Sequence, residues 1–440
     1  MTVRRHACTI LHSALQAVDA GKLVENALEV SKNQIRIGPA SLPPFDPSGR
    51  LFVFGAGKAV AVMAKAIERR LGRLVAGGLV ITKSGHSMSL KRIACIEGTH
   101  PKPSKWNVRA TQRLLEGLSS ASPQDRILFV WSGGASALLF QPRGGISATE
   151  KIEVLTRLMD AGADIRELNT VRKHLSAIKG GQLARLAAGT PAISLIVSDV
   201  CGDNPATIGS GPAVPDDSSF AEAIEVLQHY RIWKSIPANV RALLRSGAEG
   251  RIAENPGRRD AAFRRKKTVL LGTSREAVDA AARTANELGY QTLILAHQLQ
   301  GETEAAARLH AAAAAASRQR PLAIISGGET TVRLNPGHGV GGRNQHFTLA
   351  AALLLNRRAE FRDRRYTILS AGTDGTDGPT DAAGAVADEA TVLRAEALGL
   401  DPDESLRRQD SYSFFKRLND LIITGPTNTN VMDLRILLFV

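Results

Sequence analysis

The sequence contains few cysteines and no long apolar run. Its three cysteines, Cys8, Cys95 and Cys201, are far apart and form no C-x-x-C pair. This spacing argues against a disulfide framework or a zinc site and favours a reducing, cytoplasmic environment. No stretch approaches the roughly 20 apolar residues of a membrane helix. We therefore expect neither a membrane protein nor a disulfide-rich secreted protein.

The first twenty residues do not have the composition of a secretory signal. His6, His12 and Asp19 lie where a signal would be apolar. Apolar residues between positions 10 and 18 recur at helical spacing, which predicts an ordinary amphipathic helix.

Aromatic residues are also scarce, at 4% of the chain, while 56 Lys and Arg against 42 Asp and Glu give a net charge of +14. A field of this sign concentrates anionic ligands. Nucleic-acid binding is one alternative, but it predicts basic residues gathered on one face with aromatic platforms, and here the basic residues are spread along the chain. We therefore expect small anions as ligands and no nucleic-acid partner.

The length of 440 residues predicts two domains, or one large domain with insertions. Short β-rich runs alternate with longer helical patterns, which predicts an α/β fold with open sheets. The clearest predicted strands are 51–54, 79–82, 127–131, 194–197, 269–271, 292–295, 322–325, 367–369 and 436–440. The clearest predicted helices are 59–71, 151–161, 220–229, 275–288 and 302–317. Residues 246–267, rich in Gly, Pro and Arg, break the pattern and are predicted to be an interdomain linker.

A glycine-rich loop containing Gly55, Gly57 and Lys58 stands between a predicted strand and a predicted helix. Backbone N–H groups and the helix dipole would hold an anion there, and Lys58 adds a positive charge. The loop lacks the spacing of a Walker A motif, and Val60 replaces the third glycine of a dinucleotide fingerprint. A structural turn with a solvated lysine is the alternative.

Two further strand-to-helix turns share a Ser-Gly-Gly sequence. They contain Ser132, Gly133, Gly134 and Ser136 in the first half of the chain and Ser326, Gly327, Gly328 and Glu329 in the second. Turns of the same composition after strands are typical of paired ligand loops, although small residues also permit tight turns for structural reasons. We predict that both turns bind a ligand.

Carboxylates lie in two other glycine-rich turns, as Asp199 with Asp203 and as Asp374 with Asp377. Carboxylates in such turns can hold Mg²⁺ or accept a proton from a hydroxyl group. These four residues are the candidate metal ligands, and one of them, with Asp199 as the candidate, is the expected catalytic base. Asx-turn capping is the alternative role for each.

Two basic segments complete the set. A glycine-dense loop leads to Arg343 and Asn344, and a single guanidinium on such a loop suits charge stabilisation of a transferring phosphoryl group. Asn169, Arg172 and Lys179 lie in the second segment, which either forms a surface helix or faces an anion. Together the loops favour phosphoryl transfer involving a small anion.

In this order along the chain, the motifs resemble those of the type II glycerate kinase family, whose C-terminal half is the MOFRL domain. The resemblance runs nearly from end to end and rests on residues 55–58, 132–136, 169–181, 198–212, 326–331, 341–345, 372–379 and 424–431. It implies a larger Rossmann-like domain with a mainly parallel sheet at 1–245, the linker at 246–267, a smaller α/β MOFRL domain at 268–440, and an active site in the cleft between the domains.

The same resemblance implies that ATP phosphorylates D-glycerate at its 2-hydroxyl with Mg²⁺ required. Lys58 and Arg343 match the residues regarded as catalytic in that family, and the other loop residues named above are then expected to bind nucleotide or substrate. His346 departs from the pattern, because a glutamate commonly stands there. A nicotinamide-dependent hydroxypyruvate reductase and a kinase that forms 3-phosphoglycerate remain the alternatives, and a homodimer is an open prediction.

Overall fold

The computed structural model describes residues 2–31, 34–46 and 48–440. The chain forms two compact units. We call residues 20–271 the middle unit, and residues 1–19 together with 272–440 the terminal unit. The first domain was predicted to span residues 1–245 and to be followed by a linker at 246–267, whereas the middle unit begins at residue 20 and ends at residue 271.

The bounds of the strands and helices follow. The strands are β1 (Leu28–Ser31), β2 (Gln34–Ile37), β3 (Ala40–Ser41), β4 (Leu51–Ala56), β5 (Val75–Lys83), β6 (Ala94–Gly98), β7 (Arg126–Trp131), β8 (Ala192–Val197), β9 (Lys266–Gly272), β10 (Gln291–Leu299), β11 (Leu322–Gly328), β12 (Tyr366–Gly372), β13 (Gly384–Asp388), β14 (Leu421–Ile422) and β15 (Asp433–Phe439). The helices are α1 (Val3–Ala17), α2 (Ala20–Ala27), α3 (Val60–Leu71), α4 (Lys105–Ser119), α5 (Ala135–Leu138), α6 (Ala148–Asp160), α7 (Ile165–His174), α8 (Gln182–Leu186), α9 (Phe220–His229), α10 (Ala238–Ala248), α11 (Ser274–Glu287), α12 (Thr303–Ala316), α13 (Arg343–Asn356), α14 (Thr391–Ala397), α15 (Pro402–Arg407) and α16 (Ser411–Leu418). Among the described residues, no helix has both the length and the apolar character that a membrane crossing requires.

The main sheet of the middle unit has the strand order β6-β5-β4-β7-β8-β9. Strands β4 to β8 are parallel, which confirms the predicted parallel sheet. β7 and β8 are buried along their whole length, as their continuous apolar sequences require in the centre of a parallel sheet. The chain winds from β4 through β5 to β6 and then crosses to the other side of β4 to form β7 and β8. The carboxyl ends of β4 and β7 therefore flank the reversal, which is where open α/β sheets bind ligands.

A helical layer built from α6, α7, α9 and α10 has its own apolar core in the middle unit. Helices α6, α7 and α9 each begin with a capping box, in which the first polar side chain and an acidic residue three positions later satisfy each other's backbone N–H groups. A small antiparallel sheet, β1-β2-β3, was not predicted, because its strands are short.

The predicted linker is a packed part of the middle unit. Asn255 is buried, donates to Asp216 Oδ2 (2.8 Å) and accepts from Gln182 Nε2 (2.9 Å). Residues from 266 onwards form β9 at the edge of the main sheet. Glycine and proline in the segment indicate an irregular backbone, and they carry no information on whether it is exposed.

The sheet of the terminal unit has the order β10-β11-β15-β12-β13-β14 and is mixed. β10 and β11 are parallel, while β15 lies antiparallel between β11 and β12. All seven residues of β15 are buried, so the predicted final strand is confirmed and both of its faces are covered. A core of alanine, leucine and phenylalanine side chains packs α12 and α13 against the sheet.

The first helix belongs to the terminal unit. α1 buries Ala7, Ile10, Leu11 and Ala14 and packs against α11, β12 and β15. Its Arg4 also pairs with two aspartates of the terminal unit. The helical periodicity was predicted correctly, but an amphipathic pattern does not identify the surface that the helix covers.

Candidate active site

Lys58 lies at the carboxyl end of β4, at the reversal of the main sheet. Its backbone N–H donates to the carbonyl oxygen of Gly133 (2.8 Å), and the N–H of Ala59 donates to the hydroxyl of Ser132 (2.9 Å). Gly57 has φ +146°, and a Cβ there would lie 2.2 Å from Ser132 Oγ. The first two predicted loops are thus hydrogen-bonded to each other, and a glycine is required where they touch.

The other glycines of these two loops, Gly55 and Gly134, lie in different surroundings. Gly55 lies within β4, where a Cβ would be 2.0 Å from the carbonyl oxygen of Val130 on β7. A Cβ at Gly134 would lie 3.1 Å from the His100 ring and 3.4 Å from Lys58 Cγ, so these three residues adjoin. His100 was not among the predicted residues, because it follows β6, a strand that the sequence pattern did not reveal.

A second group of predicted residues forms a hydrogen-bonded network in the middle unit. Arg172 Nη1 and Ser210 Oγ both donate to Asn169 Oδ1, at 2.7 and 3.1 Å. Ser136 Oγ lies 2.8 Å from Ser210 Oγ. Ser210 has φ +61° and is flanked by two glycines that also have positive φ, so this turn depends on the Gly-Ser-Gly sequence.

The network borders a cavity of about 460 Å³. Its lining includes polar groups of His100, Gly134, Ser136 and Arg172 and apolar side chains of Phe140, Ile152, Leu155 and Met159. Burial lowers the pKa of Arg172 to about 10. Lys179 is fully buried, and its Nζ donates to the carbonyl oxygen of Gly209 (3.1 Å).

Asp199 and Asp203 follow β8, the strand beside β7, and both are partly exposed. In the part of the chain that the structure describes, no three His, Cys, Asp or Glu side chains are grouped as metal ligands. A Mg²⁺ ion that arrives with a nucleotide needs only one or two protein carboxylates. Both aspartates are partly exposed, and carboxylates are the class of ligand that such an ion takes, although Oδ1 of Asp203 is buried.

Arg343 is the first residue of α13 and forms two ion pairs. Its Nε and Nη2 donate to Asp433 at 2.6 and 3.0 Å, and its Nη1 donates to Glu329 Oε1 at 2.6 Å. Burial alone would lower the pKa of Arg343, but Asp433 and then Glu329 raise it above its ordinary value. The side chain remains 34% exposed, so this fixed positive charge is accessible to a ligand.

The sheet register positions these groups. Gly328 at the end of β11 and Gly372 at the end of β12 both pair with Asp433 at the start of β15. Because three strand ends coincide there, the loops carrying Glu329 and Asp374 meet the start of α13.

Asn344 and Asp377 hold the start of α13 in place. The Asp377 carboxylate accepts from the backbone N–H groups of Asn344 (3.0 Å) and Gln345 (2.9 Å), and the Asn344 amide also donates to Asp433 (3.0 Å). Burial raises the pKa of Asp377 to about 6. Both oxygens of Asp377 are committed to the helix, so it is a poor ligand for Mg²⁺, contrary to its predicted role. Asp374 accepts from the N–H and hydroxyl of Thr376 and forms the alternative Asx turn, but it is partly exposed.

Two buried charged residues of this group, Asp433 and Arg435, were not predicted from the sequence. Arg435 Nη2 donates to Asp433 Oδ2 (3.3 Å) and Thr330 Oγ1 (3.0 Å), and both Asp433 and Arg435 are almost completely buried. Their signal in the sequence is two opposite charges at alternate positions of an otherwise apolar strand. Ser326, which was predicted to bind a ligand, is instead buried with its hydroxyl 2.9 Å from His310 Nε2.

A carboxylate lies beside His346, the position where the family pattern commonly has a glutamate. His346 Nε2 lies 3.3 Å from Glu304 Oε1, so α12 supplies a carboxylate next to this position. Burial lowers the pKa of His346, and Glu304 opposes the shift.

The comparisons with known proteins agree with this architecture. A model of a domain of unknown function, DUF4147, matches residues 6–245, and the MOFRL family model matches residues 322–433. The glycerate 2-kinase of Pyrococcus horikoshii is 36% identical over 98% of this chain and 96% of its own length. The chain belongs to the glycerate kinase family.

Two further members of the glycerate kinase family give the range of names within it. The crystal structure of glycerate kinase from Thermotoga maritima matches with a TM-score of 0.84 and 34% identity, over 99% of each chain. A relative from Agrobacterium vitis, 38% identical over 90% of this chain and 88% of its own, carries the name hydroxypyruvate reductase. The resemblance drawn from the motifs and the predicted α/β fold are therefore confirmed.

Proposed function

We propose that this enzyme transfers the γ-phosphoryl group of ATP to the 2-hydroxyl of D-glycerate and releases ADP. The observation that carries the proposal is the position of Lys58, which stands at the reversal of a parallel sheet with the Ser-Gly-Gly loop bonded to its backbone. Relatives named glycerate 2-kinase, similar over nearly the whole chain, support the choice of substrate and of hydroxyl.

Charge neutralisation is the task that we assign to Lys58 and Arg343. A phosphoryl group in transfer carries charge on its three equatorial oxygens, and fixed cations in a dry site stabilise that charge. Arg343 is prepared for this task because two carboxylates fix its guanidinium and leave one third of the side chain exposed. Mg²⁺, when bound with ATP, would neutralise the remaining phosphate charge.

The proton of the 2-hydroxyl needs an acceptor. Asp199 follows the strand beside β7 and is partly exposed, so we retain it as the candidate base, with Asp374 as the alternative. Asp199, Asp203 and Asp374 are the residues that would hold Mg²⁺. We assign Asp377 to neither role, because its carboxylate accepts hydrogen bonds from the start of α13.

The decisive experiment is a kinase assay with ATP, Mg²⁺ and D-glycerate, coupled directly to enolase. We expect signal without added phosphoglycerate mutase, because only 2-phosphoglycerate is an enolase substrate. ADP release without that signal would contradict 2-phosphorylation and indicate the 3-hydroxyl. Oxidation of a reduced nicotinamide by hydroxypyruvate in the absence of ATP would contradict the kinase proposal and favour the reductase.

Two variants test the assigned charges. Lys58→Ala should lower kcat/KM by roughly 10³-fold, the order of effect expected when one stabilising charge is lost, with little change in melting temperature because the side chain is partly exposed. Arg343→Ala should reduce turnover similarly but should also destabilise the protein, because the buried Asp433 then loses two of its four hydrogen bonds. Lys65→Ala, at an exposed position of α3, and Arg357→Ala, at the exposed residue that follows α13, are the matched controls. Turnover within tenfold of wild type in Lys58→Ala would refute its role.

A further inference from the structure

Three buried or half-buried cations of the middle unit have no carboxylate partner among the described residues. Lys151 on α6 and Lys179 after α7 are both 0% exposed, and Arg172 lies on α7. The charged neighbours that perturb Lys151 and Lys179 are themselves cations. Lys173, beside Arg172 in sequence, shows the usual arrangement, since its Nζ pairs with Asp216 at 3.1 Å.

Lys151 is the extreme case of the three. Within the described chain its Nζ has no hydrogen-bond partner and lies 4.9 Å from the centroid of the Phe140 ring. Phe140 lines the 460 Å³ cavity together with Ser136, Arg172 and one carboxylate, Asp160. Lys151 does not itself line the cavity, and its charge would act on a ligand there from behind the Phe140 ring. A buried ammonium group without a partner is costly, so Lys151 either loses its proton or pairs with a negative charge that the protein does not itself supply.

We propose that this cavity binds an oxyanion of a substrate, a carboxylate or phosphate group, and that Lys151, Arg172 and Lys179 form its counter-charge. The hydroxyls of Ser136 and Ser210 would complete the site, because charge-assisted hydrogen bonds to oxyanions are the strong ones. The inference depends on the proposed function in one respect: that function names the two ligands that could supply the oxyanion, glycerate through its carboxylate and ATP through its phosphates.

Proton uptake should accompany binding. Burial lowers the pKa of both lysines well below the ordinary value, and neighbouring cations lower it further: Lys179, Arg172 and Arg143 act on Lys151, and Arg172 acts on Lys179. A bound anion favours the protonated form and raises the pKa again. Binding enthalpies measured in buffers of different ionisation enthalpy should therefore differ, and this readout would not respond to a purely structural lysine.

The test uses Lys151→Met, which keeps the length of the side chain and removes its charge. Arg157→Met is the control, because it removes one charge from the exposed face of the same helix. Dissociation constants for ATP with Mg²⁺ and for D-glycerate are measured separately by titration calorimetry. We expect Lys151→Met to weaken one of the two ligands at least tenfold, to leave the other within twofold, and to melt at or above the wild-type temperature. Arg157→Met should leave both ligands unchanged.

The ligand whose affinity is lost identifies the source of the oxyanion. Loss confined to ATP assigns the oxyanion to phosphate, and loss confined to glycerate assigns it to the carboxylate. Arg172→Gln should weaken the same ligand, which keeps the test valid if Lys151→Met folds poorly. Unchanged affinity for both ligands in both variants overturns the inference. Binding does not depend on turnover, so an enzyme that binds these ligands but fails the enolase-coupled assay contradicts the proposed function alone.

Discussion

Replacing Asp433 with asparagine should destabilise the terminal unit and lower turnover, because the Arg343 guanidinium is then less firmly held. The Asp433 carboxylate accepts four hydrogen bonds, from Arg343 Nε and Arg435 Nη2 on one oxygen and from Arg343 Nη2 and Asn344 Nδ2 on the other. Asparagine keeps one acceptor oxygen and places an NH₂ group against the remaining donors. Two bonds to a buried charge are lost whichever way the amide turns.

The magnitude follows from these contacts. A hydrogen bond that involves a charged group contributes about 1.5–3 kcal/mol, so two of them give about 3–6 kcal/mol. A similar range, about 3–5 kcal/mol, is typical when one partner of a buried ion pair is removed. For a unit of this size, that loss corresponds to a fall of roughly 10 °C in melting temperature. Turnover should fall as well, because nothing else fixes both Nε and Nη2 of Arg343.

Scanning calorimetry and the enolase-coupled assay measure the two effects. Asp381→Asn is the control, because Asp381 is an exposed acid of the same unit whose carboxylate accepts from the Tyr412 hydroxyl. The double variant Asp433→Asn with Arg435→Met should lose less stability than the two single losses together, because it no longer leaves the Arg435 guanidinium buried without a counter-charge. An Asp433→Asn protein that melts within 2 °C of wild type would refute the reasoning (about 2 °C being under 1 kcal/mol here).

Two further predictions concern stability and pH in the terminal unit. Because burial raises the pKa of Asp377 to about 6, above its unfolded value of about 4, the ionised carboxylate opposes folding above pH 6, and stability should rise as the pH falls from about 6 to 4. Asp377→Asn should abolish that rise in urea titrations across this range, whereas a persistent rise would assign it to another group. Although burial would raise the pKa of Asp388, Arg4 holds it below the ordinary value, so this stabilisation is present near neutral pH and is lost as the pH falls through the lowered pKa. Arg4→Ala should cost about 2 kcal/mol at pH 7 and less at pH 3, with Arg5→Ala as an exposed control, and an equal loss at both pH values would contradict the ion-pair explanation.

The local elements were predictable because their signals are local. The run of apolar residues at β7 and the Gly-Ala-Gly-Lys turn after β4 each specify a conformation from a few neighbouring residues. The loops that follow parallel strands share one edge of the sheet, but the meeting of Lys58 with the Ser132 loop was not predicted, because it requires β4 and β7 to be neighbours and no local signal specifies that pairing.

The missed residues depend on long-range pairing. Asp433 reaches Arg343 only because β15 lies antiparallel between β11 and β12. The residues next to Asp433 in sequence do not predict that position of the strand. In the sequence, Lys151 has the spacing of a residue on the polar face of a helix, and only the packing of α6 in the folded unit buries it. Asp377 resembled a metal ligand in its glycine-rich turn, but the partner that it holds, the start of α13, comes from a different loop.

The membership of α1 in the terminal unit also sets an order of events during synthesis. The ribosome makes α1 well before its packing partners, since α11 begins at Ser274 and β15 ends at Phe439. At roughly 5–20 residues per second, the helix waits on the order of tens of seconds for α11 to appear. The middle unit, whose residues are contiguous, can fold completely in that interval. The apolar stripe of α1 must then be kept from wrong partners until α11 and β15 have been made, and a chaperone or tag bound to residues 2–20 should change the yield of folded protein more than one placed at the boundary near residue 271.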